Sequence, residues 1–412
     1  MKHIWLWILL ALIVIGTAVA FIPGEWKSAE IADVTGGTRE IELQPKTVTV
    51  KDGKEVTYRI AKPFEVAVAA EGLGKARFMA MSPDGRMFVP DIVNYNLSRE
   101  GKVYVLGDWN EETKRFESKD VYLSGLRGPN SIAFYRDPSG KDWLYLALTA
   151  SLVRYPYKAG DTKPSGPAQV VTEFPNTQTP GETSVVWHIT RTIKFHEGRL
   201  YVAIGSGCNS CEQEEGDMRA MVMVMDPDGS NKEVYADGLR NSVGMTFKGD
   251  TIYVTANGVD HLGADAPDEL MHELQKGKHY GWPYCWQSDG VLHEETPDRW
   301  KRRVPCTDVP LAFTAFPPHS APLGLEYFED AHPVLDGSFL VALHGSFQPE
   351  VGSGYQIIRV SESGKKDVFM DGFQAANYAQ LGRPVDILQR DANSFFVTDD
   401  FNGMIYLIYA AE

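Results

Sequence analysis

Six times along this 412-residue chain a short polar turn is followed by a pair of strand formers: Phe88-Val89, Tyr145-Leu146, Tyr201-Val202, Tyr253-Val254, Leu340-Val341 and Phe396-Val397. The steps between them are 57, 56, 52, 87 and 56 residues. Ahead of most pairs runs a second phrase, a turn residue, then a polar or charged residue, then an apolar strand. It reads Gly72-Leu73…Met81, Gly125-Leu126…Phe134, Trp187-His188…Phe195, Gly238-Leu239-Arg240-Asn241…Phe247, His319-Ser320-Ala321-Pro322…Tyr327 and Gly382-Arg383-Pro384…Leu388. Self-similarity of strands and turns at this period predicts an all-β, six-bladed β-propeller. Six blades close a ring, so the residues before each inner strand converge on one axis.

Residues 63–412 are expected to form the ring, with residues 23–62 as a Thr- and Val-rich lead that includes a ring-closing strand. The long step between Tyr253 and Leu340 predicts an insertion over 257–310, rich in Gly, Asp, His and Trp. Its Tyr280-Gly281-Trp282-Pro283-Tyr284 is too aromatic for disorder and places an ordered segment on the rim. The formal charge of −15 argues against nucleic acid or an anionic membrane as partner. Residues 4–22 form an apolar run behind Lys2, and Ala18-Val19-Ala20 offers a small-residue cleavage pattern. The segment 1–22 reads as a signal peptide or as an uncleaved membrane anchor, since both use the same physics. Either places the body in the periplasm or outside the cell.

The four cysteines suit that address. Cys208 and Cys211 lie in a loop, and Cys285 and Cys306 flank a Trp-rich stretch. Zinc would need a second compact pair, and a redox C-x-x-C opens a helix that a propeller lacks. Two structural disulfides, 208–211 and 285–306, are expected.

The positions before the inner strands hold Lys75 or Arg77, Arg127 and Asn130, His188 and Arg191, Arg240 and Asn241, His319, and Arg383. Several cations converging on one axis in an acidic protein call for an anionic ligand. Pairing with Asp237, Asp386, Asp399 or Asp400 is the alternative for any single arginine. A histidine in such a cationic wall is held neutral, the state a general base requires.

Three stretches carry a family resemblance: Trp187-His188-Ile189-Thr190-Arg191-Thr192-Ile193, Gly238-Leu239-Arg240-Asn241-Ser242-Val243-Gly244, and Asn257-Gly258-Val259-Asp260-His261-Leu262-Gly263…Pro267-Asp268-Glu269-Leu270…Tyr280-Gly281-Trp282-Pro283. From about residue 68 onward the chain resembles the soluble glucose/sorbosone dehydrogenases, six-bladed propellers that use pyrroloquinoline quinone (PQQ) and calcium. The resemblance implies His188 as catalytic base and Arg240 as the residue that, with calcium, stabilises charge on the quinone. It implies Arg191, Arg240, Asn241, His319 and Arg383 around the cofactor. Arg240 and Asn241 match the quinone-oxygen contacts, and Arg191 and Arg383 are candidates for its carboxylates. The carbonyls of Gly258 and Val259 match the calcium ligands, with Val where the family carries Pro. A second, structural calcium is implied at Asp268 and Glu269. His319 stands where glucose-type members carry a small hydroxyl residue. His344-Gly345-Ser346-Phe347-Gln348-Pro349 departs from an expected His-Gly-Ser-Trp-Asn-Arg, which removes one ring arginine.

The resemblance therefore implies a periplasmic PQQ- and calcium-dependent sugar or sugar-aldehyde dehydrogenase. Hydride would pass from substrate to quinone, and the electrons to an external quinone or cytochrome. A calcium-dependent propeller lactonase and a non-catalytic carbohydrate-binding propeller are the competing readings. A lactonase needs acidic or amide side chains around an axial calcium, whereas this ring is dominated by Arg and His.

Overall fold

The computed structural model describes residues 41–411 except 96–97, 176–186, 213–215, 296–299 and 302–303. The segment 1–22 thus lies outside the described residues. The described chain is nearly all β and forms the expected six-bladed propeller.

Blade 1 runs Ala80–Met81, Met87–Asp91, Gly101–Asn110 and Arg115–Leu126, from the axis outward. Blade 2 is Ser131–Arg136, Asp142–Ala147, Ser151–Pro156 and Gln169–Glu173; blade 3 is Arg191–His196, Arg199–Ile204, Met221–Met225 and Glu233–Ala236. Blade 4 is Ser242–Lys248, Thr251–Ala256, Glu269–Leu274 and Thr314–Phe316, and blade 5 begins Pro322–Phe328, Ser338–Leu343, Gln356–Ser361 and Lys366–Asp371. Blade 6 is Pro384–Asp391, Ser394–Asp399 and Met404–Ala410, completed by Phe64–Ala70 from the start of the ring. All pairings within these blades are antiparallel, as short hairpin connections require.

Each recurring pair sits in the second strand of its blade. Those strands are packed by neighbouring blades on both faces, so Ser338–Leu343 and Ser394–Asp399 are buried at every residue. A strand covered on both faces reads as a continuous run of strand formers rather than an alternation.

The lead behaves differently from its expected role. The closing strand is Phe64–Ala70, just beyond 23–62. Within the lead, Leu43–Thr49 and Glu55–Ala61 form a hairpin that extends blade 5 to six strands. It docks through Ile60 opposite Met370 and through Arg59, which forms a two-pronged ion pair with Asp371.

The inner strands of blades 4, 5 and 6 each carry an irregularity two or three residues in. There the backbones nearly touch: a Cβ on Gly244 would lie 2.1 Å from the Leu323 carbonyl oxygen. Phe78, Val243, Leu323 and Val385 form one buried apolar cluster. Because blades 1 and 4 oppose each other, these side chains meet at the axis and form an apolar plug there. Beyond the plug, Lys194 of blade 3 pairs with Glu326 of blade 5 at 2.8 Å, near the buried Asp386, whose Oδ2 accepts the Met79 N–H. The polar residues before each inner strand lie on the other side of the plug, with the loops that follow the second strands.

The insertion enters after Glu269–Leu274 and returns at Thr314–Phe316, so it is a loop of blade 4. It holds the hairpin Cys285–Ser288/Val291–Glu294 and the 285–306 disulfide. Both expected disulfides are formed, and no cysteine is free.

Candidate functional site

His188 ends the connection into the inner strand of blade 3. Its φ is +41°, a left-handed conformation uncommon for a residue with a Cβ. Nδ1 lies 2.9 Å from the Ser206 carbonyl oxygen and 3.0 Å from Ser206 Oγ. The Ser206 hydroxyl hydrogen is already committed to the Cys208 carbonyl at 2.6 Å. Both atoms facing Nδ1 therefore act as acceptors, Nδ1 carries the proton, and Nε2 is left with its lone pair. Nε2 makes no hydrogen bond among the described residues. Burial, then the Arg240 charge, holds the imidazole well below its usual range. Gly205 makes this packing possible, because a Cβ there would stand 2.6 Å from His188 Cβ and 2.5 Å from Asn241 Oδ1.

Arg240 is 6% exposed. Its Nε donates to the Asn209 carbonyl at 3.0 Å, and Nη2 donates to Asn209 Oδ1 and Asp260 Oδ2, both at 2.7 Å. Among the described residues Nη1 has only a long contact, 3.4 Å, with the Asn257 carbonyl. Asn241 Nδ2 donates to Asn257 Oδ1 at 2.9 Å, and Asn257 in turn donates to the Pro322 carbonyl, so the pair is tied to blade 5.

Gly258 and Val259 follow directly. Neither carbonyl accepts a hydrogen bond among the described residues, which leaves two hard oxygen donors beside Arg240. The Gly258 N–H donates to Glu269 Oε2 at 2.8 Å. Burial raises the Glu269 carboxyl to about 7, against the pull of that N–H and of Arg240. Asp268 faces away: its Oδ2 accepts the Asp289 N–H at 2.9 Å, and Lys366 is its cationic neighbour. The two carboxylates expected to share a structural calcium are therefore separated. Successive side chains of a strand point to opposite faces, and Glu269 begins one. His319 Nε2 donates to the Gly263 carbonyl at 2.7 Å, bracing the 257–268 loop at the rim.

Arg191 takes a role other than the expected carboxylate clamp. It is 1% exposed, and Nη1 donates to the His188 carbonyl at 2.6 Å and to the Thr190 carbonyl at 2.8 Å. Burial, helped by Arg219, pushes it down to about 9. Its guanidinium props the main chain that carries the base. The Arg383 guanidinium donates to the His344 carbonyl at 3.2 Å through Nε and the Gly345 carbonyl at 2.7 Å through Nη2, and lies over the Tyr355 ring, 5.8 Å from its centroid. It has no carboxylate in ion-pair range among the described residues. Arg77, by contrast, is spent on Asp400 at 3.2 Å, which also accepts from Tyr95 Oη and, at 2.9 Å, from His344 Nε2. Arg127 is half-buried and its buried Nε has no hydrogen-bond partner among the described residues. Phe347, where Trp was expected, is 95% exposed, and Pro349 stands where the ring arginine was expected.

The structure thus gathers His188, Arg240, Asn241 and the Gly258-Val259 carbonyls beside one another, with Arg383 on the same face. A TrAA12-like family model matches residues 58–411. The chain belongs to the TrAA12-like family. Solved structures with the same fold include the holo PQQ domain of pyranose dehydrogenase from Coprinopsis cinerea (19% identity, TM-score 0.68, covering 86% of this chain and 97% of that one). A calcium structure of the family AA12 enzyme from Trichoderma reesei is also similar (18%, TM-score 0.69, 91% and 100%). So is the PQQ-bound aldose sugar dehydrogenase from Streptomyces coelicolor (16%, TM-score 0.59, 85% and 99%). A curated protein of Borreliella burgdorferi, described as uncharacterized, is 29% identical over 238 residues, which are 54% of this chain and 60% of that protein. The resemblance to the PQQ-dependent propeller dehydrogenases is borne out at the level of family and fold.

Sequence reasoning did not reach Ser206 or Asn209 and gave no role to Asn257 or Asp260, although both stand in a stretch that carries the resemblance; all four orient the family residues. The one visible signal was Cys208-x-x-Cys211, whose loop supplies two of the contacts.

Proposed function

We propose that the chain is a PQQ- and calcium-dependent sugar or sugar-aldehyde dehydrogenase that works in an oxidising compartment outside the cytoplasm. The observation that carries this reading is the imidazole of His188, its proton pinned on Nδ1 and its Nε2 open, beside a wall that suits a planar polyanion. Arg240 and Arg383 fit that anion: one keeps a weakly engaged Nη1, and the other has no carboxylate partner among the described residues. The unaccepted Gly258 and Val259 carbonyls suit calcium, and Asn241 would meet a quinone oxygen. When bound, PQQ would supply a two-electron acceptor for hydride. His188 Nε2 would take the proton from the substrate hydroxyl or aldehyde hydrate, and its low basicity keeps it unprotonated at neutral pH. Asp260, 60% exposed, lets Arg240 remain charged although buried. Sugar-acting neighbours and two formed disulfides support the substrate class and the compartment. The external acceptor would be a quinone or cytochrome.

The test is reconstitution. Apoprotein mixed with calcium and PQQ is expected to perturb the quinone absorbance and then reduce an artificial acceptor when aldoses are added. No spectral change at micromolar protein would leave the lactonase or binding-protein readings.

A further inference from the structure

The orientation of Arg240 depends on a residue that no family motif marks. Asn209 lies between Cys208 and Cys211, inside the four-residue ring closed by their disulfide. Its main-chain oxygen accepts from Arg240 Nε at 3.0 Å and from Trp282 Nε1 at 3.0 Å. Its Oδ1 accepts from Arg240 Nη2 at 2.7 Å and from the Asp260 N–H at 3.0 Å. Two donors fix which side-chain atom is the oxygen, so Nδ2 must face His261 Nδ1, 3.3 Å away. His261 Nε2 meets Glu295 Oε1 at 3.0 Å, which leaves Nδ1 free to accept. Every polar atom of the side chain is thereby engaged.

These bonds join a loop of blade 3 to Arg240 and Asp260 of blade 4 and to Trp282 of the insertion. The loop spans residues 205–220 without regular strand or helix in its described part, so nothing in the ladder of blade 3 fixes Asn209. The disulfide does. Cys208 also packs in a small apolar cluster with Ala220, Val259 and Trp282. The same ring supplies the Cys208 carbonyl that occupies the Ser206 hydroxyl and so fixes the donor at His188 Nδ1.

We infer that Asn209, held in the Cys208–Cys211 ring, is the positioning residue that aims the Arg240 guanidinium into the site. The ring converts an irregular loop into a rigid acceptor for two of the three guanidinium nitrogens. The consequence for an anionic cofactor rests on the reading proposed above; the orientation of Arg240 does not.

The test therefore begins without cofactor. Apoprotein is treated with phenylglyoxal and modification is followed residue by residue by mass spectrometry, with the deeply buried Arg191 as internal reference. Losing hydrogen bonds to a charged group is expected to make Arg240 react about tenfold faster or more in Asn209→Ala, while Arg191 keeps its wild-type rate. Asn209→Asp, which preserves the Oδ1 acceptor, is expected to restore protection. The double variant Cys208→Ser/Cys211→Ser should behave like Asn209→Ala; if it does not fold, the alanine variant decides. Wild-type labelling of Arg240 in Asn209→Ala overturns the inference, as does equal acceleration at Arg191, which would signal general loosening. A second arm measures PQQ binding with calcium by absorbance, where Asn209→Ala is expected to bind about tenfold more weakly or worse. If the wild type takes up no PQQ, the dehydrogenase reading falls while the labelling still decides the role of Asn209.

Discussion

An imidazole whose Nδ1 faces two acceptors can offer only Nε2 as a lone pair, and burial, with a cation beside it, keeps that lone pair unprotonated. His188→Gln is accordingly expected to lower turnover by about 10²-fold or more while leaving PQQ bound; unchanged turnover would remove it from the reaction. Arg240→Ala carries two linked expectations. Loss of a buried charge partner should weaken PQQ by about 2–5 kcal/mol. It should also ease protonation of His188, so the acid limb of the kcat/KM profile moves to higher pH than in the wild type. A limb that stays put would show that Arg240 does not reach the base. His188, Arg240 and Asn241 were legible in the sequence because the phrases around them are specific. The roles of Arg191 and Asp268 were not, because both depend on geometry that residue type does not encode. A guanidinium before an inner strand reaches either a ligand or the carbonyls of its own turn, and Arg191 reaches the carbonyls. Adjacent acids look like a cation site until the strand sends them to opposite faces, as it does Asp268 and Glu269.

The insertion returns to blade 4 as its fourth strand, and among the described residues its strand pairing is one hairpin, backed by turn hydrogen bonds and one disulfide. Reduction is therefore expected to make residues 275–313 the first sites of limited proteolysis while the β-sheet circular dichroism signal persists. Denatured, unreduced protein should show no reactive thiols, and two or four would contradict the pairing. Simultaneous loss of sheet signal and insertion would mean that the ring leans on this segment. The repeat phrase located every blade, since each copy marks a second strand. It could not locate the Leu43–Ala61 hairpin, which belongs to no copy, although Asp52-Gly53 between alternating Thr and Val carries a hairpin signal of its own. Which edge that hairpin would join was not written locally: blade 5 receives it through Arg59 and Asp371, separated by most of the chain.

Across the whole ring, buried carboxylates set a pH response. Burial raises Asp386 from the ordinary 3.8 to about 7, against the Met79 N–H and aided by Glu326. A folded-state value above the unfolded one stabilises the protein fully at low pH and is lost as pH rises through about 7. Asp386→Asn is expected to remove that slope, about 1.4 kcal/mol per pH unit between pH 4 and 7. Parallel wild-type and variant curves would assign the response elsewhere, with Glu269 the next group to replace. The axial cluster of Phe78, Val243, Leu323 and Val385 has a different consequence. An axis occupied by apolar side chains offers no polar way through, like a room with one door. On the proposed function, sugar, product and electron acceptor would use that door in turn, so oxidised sugar would leave before the acceptor came near. Initial-rate plots at several fixed acceptor concentrations are expected to give parallel lines, the signature of a turnstile, and intersecting lines would mean that the two visitors fit in the room together.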